Sequence, residues 1–119
     1  MIVHVKPIPH CTVYICTYVL CSFRSSFCSQ KILCQSLAGN DVPILTITNH
    51  NSPIEVRQKQ VILLTGRVHP GESPASWLMR GVIHYLTGRT EAAERLRNQF
   101  LFKIVPMLNP DGVIVGNTR

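Results

Sequence analysis

The sequence predicts an α/β sandwich with a mixed sheet, and three observations lead to this fold class. Strand-like and helical segments follow one another in the order strand, strand, strand, helix, helix, strand. The continuous apolar run at residues 61–64 is typical of a strand that is buried on both faces of a sheet. Apolar residues make up 45% of the 119 residues, which favours one packed domain, or part of one, over a disordered chain.

The first two strands are predicted to form a hairpin. Residues 31–37 have strand composition, and residues 43–48 have the composition of the returning strand. The turn between them, residues 38–41, contains Gly and Asn, which accept the backbone angles of tight turns. Residues 49–60 are polar, contain a proline and are predicted to form a surface loop before the third strand.

The first helix is predicted to begin at Ser73 and Pro74, because Ser can cap a helix and Pro fits its first position. Apolar residues then recur at helical spacing and predict one core-facing stripe, made of Ala75, Leu78, Val82 and Tyr85 or Leu86. Trp77 is expected to pack this helix against the sheet without a direct role in chemistry. Gly88 is predicted to end the helix.

The last predicted elements are a short helix and a fourth strand. Thr90 is expected to cap a helix that runs through Asn98. Residues 100–108 have strand composition, and Pro106 should lie near the strand end or a bulge because it cannot donate to a neighbouring strand. Residues 109–112 have the composition of a tight turn.

The charge balance favours an anionic partner. Twelve Lys and Arg against six Asp and Glu give a formal net charge of +6, which suits nucleic acid, phosphate or an acidic peptide. The basic residues are scattered, so a plain soluble basic surface is the favoured interpretation, and net charge is all that favours nucleic acid. We therefore predict no nucleic-acid partner.

The cysteines and the apolar N-terminal stretch indicate which cellular compartment suits the chain. The five cysteines are odd in number, lie in the first third of the chain and form no Cys-x-x-Cys pair. This pattern argues against a zinc ribbon or a disulfide framework and favours a reducing compartment. The apolar residues 11–23 are too few to span a bilayer and lack a small-residue cleavage site, so a strand is favoured over a signal peptide and no membrane partner is predicted.

Chemistry is most strongly indicated at His69 and Glu72, which follow the third strand and precede the first helix. The carboxyl end of a strand beside a helix N-terminus is where open α/β sheets bind ligands, and Gly71 permits a tight turn between the two side chains. Imidazole and carboxylate are ordinary zinc donors, but catalytic zinc needs three protein ligands and only two are evident. The spacing alone is weak, and a surface hydrogen bond is the alternative. The remaining histidines, which are His4, His10, His50 and His84, are expected to be structural or solvated.

The residues around this pair resemble a known family. The segment 67–73, followed by Ser76 and Trp77, is similar to the zinc motif of the cytosolic carboxypeptidases, which belong to the M14 metallocarboxypeptidases. Residues 37–40 with 45–49, and residues 106–119, resemble the family segments before and after that motif. Residues 31–119 are therefore identified as the N-terminal part of a zinc carboxypeptidase (peptidase M14) domain, with a partial mixed-sheet sandwich. Residues 1–30 form a divergent segment.

The resemblance implies a hydrolase that removes C-terminal residues, notably glutamates from tubulin and other acidic tails. His69 and Glu72 carry over as two ligands of one Zn²⁺ ion, and Arg119 as the arginine that polarises the scissile carbonyl. Thr118 stands where the family usually has an aromatic residue. The family's third zinc ligand, its Asn-Arg pair and its catalytic Glu have no counterpart here, so the chain is expected to be inactive alone. The family name implies the cytosol, with microtubules or cilia as further expected sites.

Two alternatives remain open from the sequence. The chain could be a non-catalytic binding module that docks acidic peptide tails through its basic surface. It could also be part of another zinc amidohydrolase, such as an N-acyl amino acid deacylase. The oligomeric state is not predicted.

Overall fold

The computed structural model describes residues 26–119, so the predictions for residues 11–23 and for most of the segment 1–30 lie outside it. The described residues form four strands, three α-helices and one short 3-10 helix. In chain order these are β1 (Cys28–Gln35), β2 (Asp41–Ile47), the 3-10 helix (Val56–Gln58), β3 (Gln60–Thr65), α1 (Ser73–Leu86), α2 (Glu91–Gln99), β4 (Phe100–Val105) and α3 (Pro110–Val115). None of these helices has both the length and the apolar character that crossing a bilayer requires.

The sheet is mixed, as the sequence predicted, with its strands in the order β1-β2-β4-β3. β1 pairs antiparallel with β2, and β2 pairs antiparallel with β4, where Leu45 lies opposite Ile104. β3 pairs parallel with β4, with Leu64 opposite the same Ile104. A parallel pair needs a long crossover, and α1 and α2 provide it.

The predicted hairpin is confirmed, although β1 starts at Cys28 rather than at residue 31. A bulge between Ile32 and Cys34 shifts its register against β2. The turn is closed by the amide of Ser36, which donates to the carbonyl of Asn40 at 2.8 Å. Gly39 adopts φ +78° in this turn, a conformation that glycine accepts without steric cost.

The core lies on one face of the sheet, under α1. Its central members come from β2, β4 and α1, and they are Leu45, Ile47, Phe102, Ile104, Met79, Ile83 and Leu86. Removing this apolar surface from water provides the main driving force for packing the crossover onto the sheet. The packing also fixes the direction in which α1 leaves the end of β3.

The predicted core stripe of α1 is confirmed at Leu86, which is buried, and in part at Val82, which packs partly buried against the core, but it is wrong by one position at Leu78. The buried residues of the helix are Ser76, Met79, Ile83 and Leu86, whereas Leu78 is 63% exposed and Trp77 is 58% exposed. Apolar residues occupy two neighbouring faces of this helix, so helical spacing fits either stripe. The path of the chain after β3 selects the face that is buried. The guanidinium carbon of Arg80 lies 5.4 Å from the ring centroid of Trp77, so the indole contacts Arg80 instead of packing on the sheet.

β3 is not buried on both faces, which corrects a second prediction. Ile62 and Leu64 pack partly buried against the core, but Val61 is 63% exposed and Leu63 is 62% exposed on the opposite face. Side chains alternate between the faces of a sheet, and the described residues place no second layer over Val61 and Leu63. An unbroken apolar run shows that both faces tolerate burial, whereas burial itself requires a covering layer.

The helix boundaries follow the predicted signals with small shifts. Glu72, not Ser73, is the N-cap of α1, and its side chain makes no capping hydrogen bond. Thr90 caps α2 as predicted, since its Oγ1 accepts a hydrogen bond from the amide of Ala93 at 3.2 Å. α1 ends at Leu86 with Thr87 as its C-cap, one residue before the predicted stop.

The end of β4 combines a confirmed prediction with a correction. Pro106 follows directly after the last strand residue, where its missing N–H does not interrupt the sheet. Residues 109–112 are more than a tight turn, because Asn109 caps α3 and its Oδ1 accepts from the amide of Gly112 at 2.9 Å. Asn before Pro is a helix-start signal as well as a turn signal, and the composition alone does not separate the two.

The predicted surface loop at residues 49–60 ends in a buried lysine. Lys59 Nζ donates to Thr48 Oγ1 at 2.9 Å and to the carbonyls of Asn49 and Arg97 at 2.6 and 2.9 Å. Burial lowers the pKa of Lys59 below its ordinary value. These bonds tie the start of β3 to the ends of β2 and α2, and so help to fix where β3 points.

Candidate metal centre

The connection from β3 to α1, residues 66–72, carries the two predicted ligands, and we call it the ligand turn. Its first residues are held to the chain that follows β4. Gly66 donates to the carbonyl of Val105 at 3.0 Å, and its own carbonyl accepts from the amide of Leu108 at 2.9 Å. The carbonyl of Arg67 accepts from the amide of Asn109 at 3.2 Å. The ligand turn therefore sits at the carboxyl ends of the two parallel strands, the position that the sequence predicted.

His69 and Glu72 converge within this turn. Nδ1 of His69 lies 3.0 Å from Oε1 of Glu72, and the amide of Glu72 donates to the carbonyl of His69 at 3.2 Å. Both side chains are about half exposed, so solvent and ligands can reach them. The carboxylate can only accept, so Nδ1 carries the proton when the two groups are hydrogen bonded.

Arg67 braces the ligand turn, a role that the sequence reasoning missed. Its Nε and Nη2 both donate to the carbonyl of Pro70, at 3.1 and 2.7 Å. Its Nη1 donates to Oγ of Ser76 at 2.7 Å, in the first turns of α1. Its backbone adopts φ +54°, which is uncommon for a residue with a side chain. The only sequence signal for this role is an Arg two residues before His69, and that spacing alone does not predict what the arginine does.

Gly71 brings the end of the chain against the ligand turn. Its amide donates to the carbonyl of Thr118 at 3.1 Å. A Cβ at position 71 would lie 2.6 Å from that carbonyl oxygen, so only glycine permits this approach. Arg119, the predicted substrate-binding residue, is the next residue along the chain. Its side-chain role stays a prediction.

Residues 109–112 pack directly on the ligand turn. A Cβ on Gly112 would come within 2.4 Å of Cγ of Pro70, so the start of α3 lies in close contact with one of the two residues between the predicted ligands. Nδ2 of Asn109 also donates to the carbonyl of Val68 at 3.3 Å. The ligand turn and residues 109–112, which the sequence analysis identified separately, therefore pack together as one unit.

Asp111 joins the hairpin turn to this unit. Its carboxylate accepts hydrogen bonds from Ser36 Oγ at 2.5 Å, from Asn40 Nδ2 at 2.7 Å and from the amide of Ala38 at 3.0 Å. The bond from Ser36 is the largest cause of a lowered pKa of Asp111, followed by those from Asn40 and Ala38. The sequence reasoning found both segments but could not pair them, because they lie more than seventy residues apart.

The comparison with known families decides what this unit belongs to. The family model described as zinc carboxypeptidase, peptidase M14, matches residues 20–119. The chain belongs to the zinc carboxypeptidase family.

Relatives within the family agree with the sequence resemblance. The chain is 52% identical over 96 residues to cytosolic carboxypeptidase 3 of Bos taurus, covering 81% of this chain and 10% of that relative. It is 52% identical over 97 residues to cytosolic carboxypeptidase 2 of Mus musculus, covering 81% of this chain and 11% of that relative. The chain thus spans about a tenth of the length of these relatives.

Solved metallocarboxypeptidases share the fold. The metallo-carboxypeptidase from Burkholderia cenocepacia matches with a TM-score of 0.70 at 28% identity, over 85% of this chain and 28% of that chain. The metallo-carboxypeptidase from Pseudomonas aeruginosa matches with a TM-score of 0.67 at 28% identity, over 85% of this chain and 26% of that chain. The predicted mixed-sheet carboxypeptidase architecture is confirmed.

The zinc carboxypeptidase family implies a Zn²⁺ ion, and His69 and Glu72 fit as part of its site. Zinc donors at their usual bond lengths stand roughly 3.3 Å apart around a tetrahedron, and the Nδ1–Oε1 distance is 3.0 Å. Residues 26–119 contain no group of three or more His, Cys, Asp and Glu side chains that could hold a metal. The described residues therefore present one converging His–Glu pair, whose side chains are of the types that zinc binds.

Proposed function

We propose that the chain supplies two zinc ligands, His69 and Glu72, and a substrate-binding arginine, Arg119, to a metallocarboxypeptidase site. The observation that supports this most is the 3.0 Å approach of Nδ1 to Oε1 within a turn braced from both sides. The hydrogen bond from Gly71 to Thr118 supports the role of Arg119, because it tethers the preceding residue to the same turn. Residues 31–119 would form the N-terminal part of the catalytic domain.

The reaction would be hydrolysis of a C-terminal peptide bond. Bound zinc would supply a Lewis acid that polarises the carbonyl and lowers the pKa of water. His69 would bind through Nδ1 as a neutral imidazole, and Glu72 through a carboxylate oxygen. Arg119 would donate to the carbonyl oxygen, where negative charge develops as the bond is attacked.

The substrate class we propose is an acidic C-terminal tail, with glutamates removed from tubulin or similar chains in the cytosol. The formal net charge of +6 supports an acidic substrate, since a basic protein attracts anionic peptides. The relatives are named cytosolic carboxypeptidases, which supports the location. Association with microtubules or cilia follows from the proposed tubulin substrate.

A zinc titration of the 119-residue chain tests the metal site. We expect His69→Ala to weaken Zn²⁺ binding by at least about tenfold, because it removes one of two converging donors. His84→Ala, which removes an exposed histidine of α1, is the matched control and should bind zinc as the unaltered chain does. Equal zinc affinities for His69→Ala and the unaltered chain would contradict the proposal.

A binding module for acidic tails is the second candidate. The same net charge supports it, and so does the presence of only two converging donors within residues 26–119. In that case, tails would bind without being cleaved and without needing Glu72. The family matches are to carboxypeptidases, which leaves the deacylase alternative without support.

A further inference from the structure

Arg67 makes three hydrogen bonds beside the two proposed ligands, and the proposed chemistry gives it no role. Two of its N–H groups, at Nε and Nη2, converge on the carbonyl of Pro70, and the third donates to Ser76. Pro70 and Ser76 are both buried, and Arg67 itself is partly buried. The guanidinium therefore uses its N–H groups for hydrogen bonds within the ligand turn and to α1.

The positions of its partners show what the guanidinium holds together. Pro70 directly follows His69 and its carbonyl belongs to the Pro70–Gly71 peptide, so fixing this carbonyl restricts the backbone that links the imidazole to Glu72. Ser76 lies one helical turn after Glu72, on the helix that Glu72 caps. One planar group thus bridges the backbone beside the first donor and the helix that begins at the second.

The backbone of Arg67 supports a specific role. A residue with a side chain adopts φ +54° only where the surrounding structure demands it, and such residues cluster at functional sites. Glycine would suit this backbone better, but it would lack the three donors. Arginine is the side chain whose rigid fork donates to two acceptors at once.

We propose that Arg67 is a positioning residue that sets the distance between His69 Nδ1 and Glu72 Oε1. This inference rests on the proposed metal site and goes beyond it, since Arg67 contacts neither donor atom. Groups that orient metal ligands from behind typically change metal affinity by roughly 10- to 100-fold when removed. Arg67 would act in this way through backbone and helix, not through a bond to the ligand ring.

Three variants separate the guanidinium from the backbone. Arg67→Gly removes the donors and suits the positive φ, so any loss cannot come from backbone strain. Ser76→Ala removes a single acceptor and keeps Arg67. Arg67→Lys keeps the charge but not the forked arrangement of donors, and should keep part of the zinc affinity that Arg67→Gly loses. Arg89→Gly, at an exposed loop position between the helices, is the matched control.

Two measurements on the 119-residue chain test the proposal, each with thermal unfolding recorded in the same buffer. The first is the ¹⁵N resonance of the His69 ring without metal, which reports the Nδ1–Glu72 hydrogen bond. The second is competition for Zn²⁺ against a chelator. We expect Arg67→Gly to shift the resonance and weaken zinc binding about 10- to 100-fold, Ser76→Ala to act in the same direction, and Arg89→Gly to do neither.

The outcomes separate this inference from the proposed function. Unaltered His69 resonances in Arg67→Gly and Ser76→Ala would overturn the positioning role, as would zinc affinities that fall only in proportion to the unfolded fraction. If the unaltered chain binds no zinc, the proposed metal site fails. The ring resonance then still decides whether Arg67 sets the His69–Glu72 distance, because it is read without metal.

Discussion

At the scale of single residues, two glycines decide how closely the ligand turn can be packed. Gly71 lets the carbonyl of Thr118 approach, and Gly112 lets α3 approach Pro70. Neither glycine has a positive φ, so both are required for space and not for backbone freedom. A side chain at either position would push apart the segments that hold His69 and Glu72.

Gly112→Ala should destabilise the chain. Its Cβ would lie 2.4 Å from Pro70 Cγ and 2.8 Å from Asn109 Nδ2, so packed atoms must move, which typically costs about 1–3 kcal/mol. Chemical denaturation of the variant and the unaltered chain measures this. Gly81→Ala is the control, because a Cβ there meets nothing within 4 Å and should stabilise α1 by roughly 0.5–1 kcal/mol. A Gly112→Ala chain as stable as the unaltered one would refute the close contact.

At the scale of elements, a carboxylate joins the β1–β2 hairpin to the start of α3. Asp111 has two oxygens and receives three donors from the hairpin turn, two from side chains and one from a backbone amide. Hydrogen bonds to the charged form stabilise that form, which is why the pKa of Asp111 is lowered in the folded chain. The hairpin thereby supports α3, which in turn packs on the ligand turn.

The lowered pKa of Asp111 predicts a loss of stability in acid. A carboxyl group whose folded pKa is depressed contributes stability that is complete above its unfolded value, about 3.9. That contribution is lost as pH falls through the folded pKa. Below about pH 4, we therefore expect the midpoint of thermal unfolding to decrease more steeply with falling pH for the unaltered chain than for Asp111→Asn.

Thermal unfolding from pH 6 to about pH 2.5 compares the two chains. Asp41→Asn is the control, because it removes a carboxylate of the hairpin itself and leaves the Asp111 contacts in place. It should keep the steep acid dependence of the unaltered chain. The same pH dependence in Asp111→Asn and the unaltered chain would show that these contacts do not stabilise the fold.

At the scale of the whole molecule, the described segment brings three distant parts of the chain together and leaves one sheet face open at β3. The hairpin turn, the ligand turn and the start of α3 meet at one end of the sheet. On the face away from the core, Val61 and Leu63 stay exposed. One end of the sheet is therefore built up around His69 and Glu72.

The 119-residue chain should not hydrolyse a glutamate-ending peptide, even with added zinc. Catalytic zinc takes three protein ligands and an open position, and residues 26–119 bring together two donors. Turnover that His69→Ala abolishes would contradict the predicted inactivity. Polyglutamate binding that weakens with salt and survives Glu72→Ala would favour the binding module.

Local signals in the sequence predicted much of the fold and the central pair of the site. The hairpin, the Thr90 cap and the strand end before Pro106 each depend on neighbouring residues, and each is confirmed. The convergence of His69 and Glu72 is equally local, because one turn of three residues brings them together. Their role as zinc ligands stays a prediction that the family match supports.

The tertiary structure decided everything that depends on contacts between distant segments. Two apolar stripes on α1 satisfy the same periodicity, and only packing on the sheet selects Met79 over Leu78 for the core. Nothing near Asp111 in the sequence indicates that Ser36 will donate to it, because a hydrogen bond across more than seventy residues leaves no local pattern. Sequence spacing determines which contacts residues close along the chain can make, whereas the path of the whole backbone determines which distant groups meet.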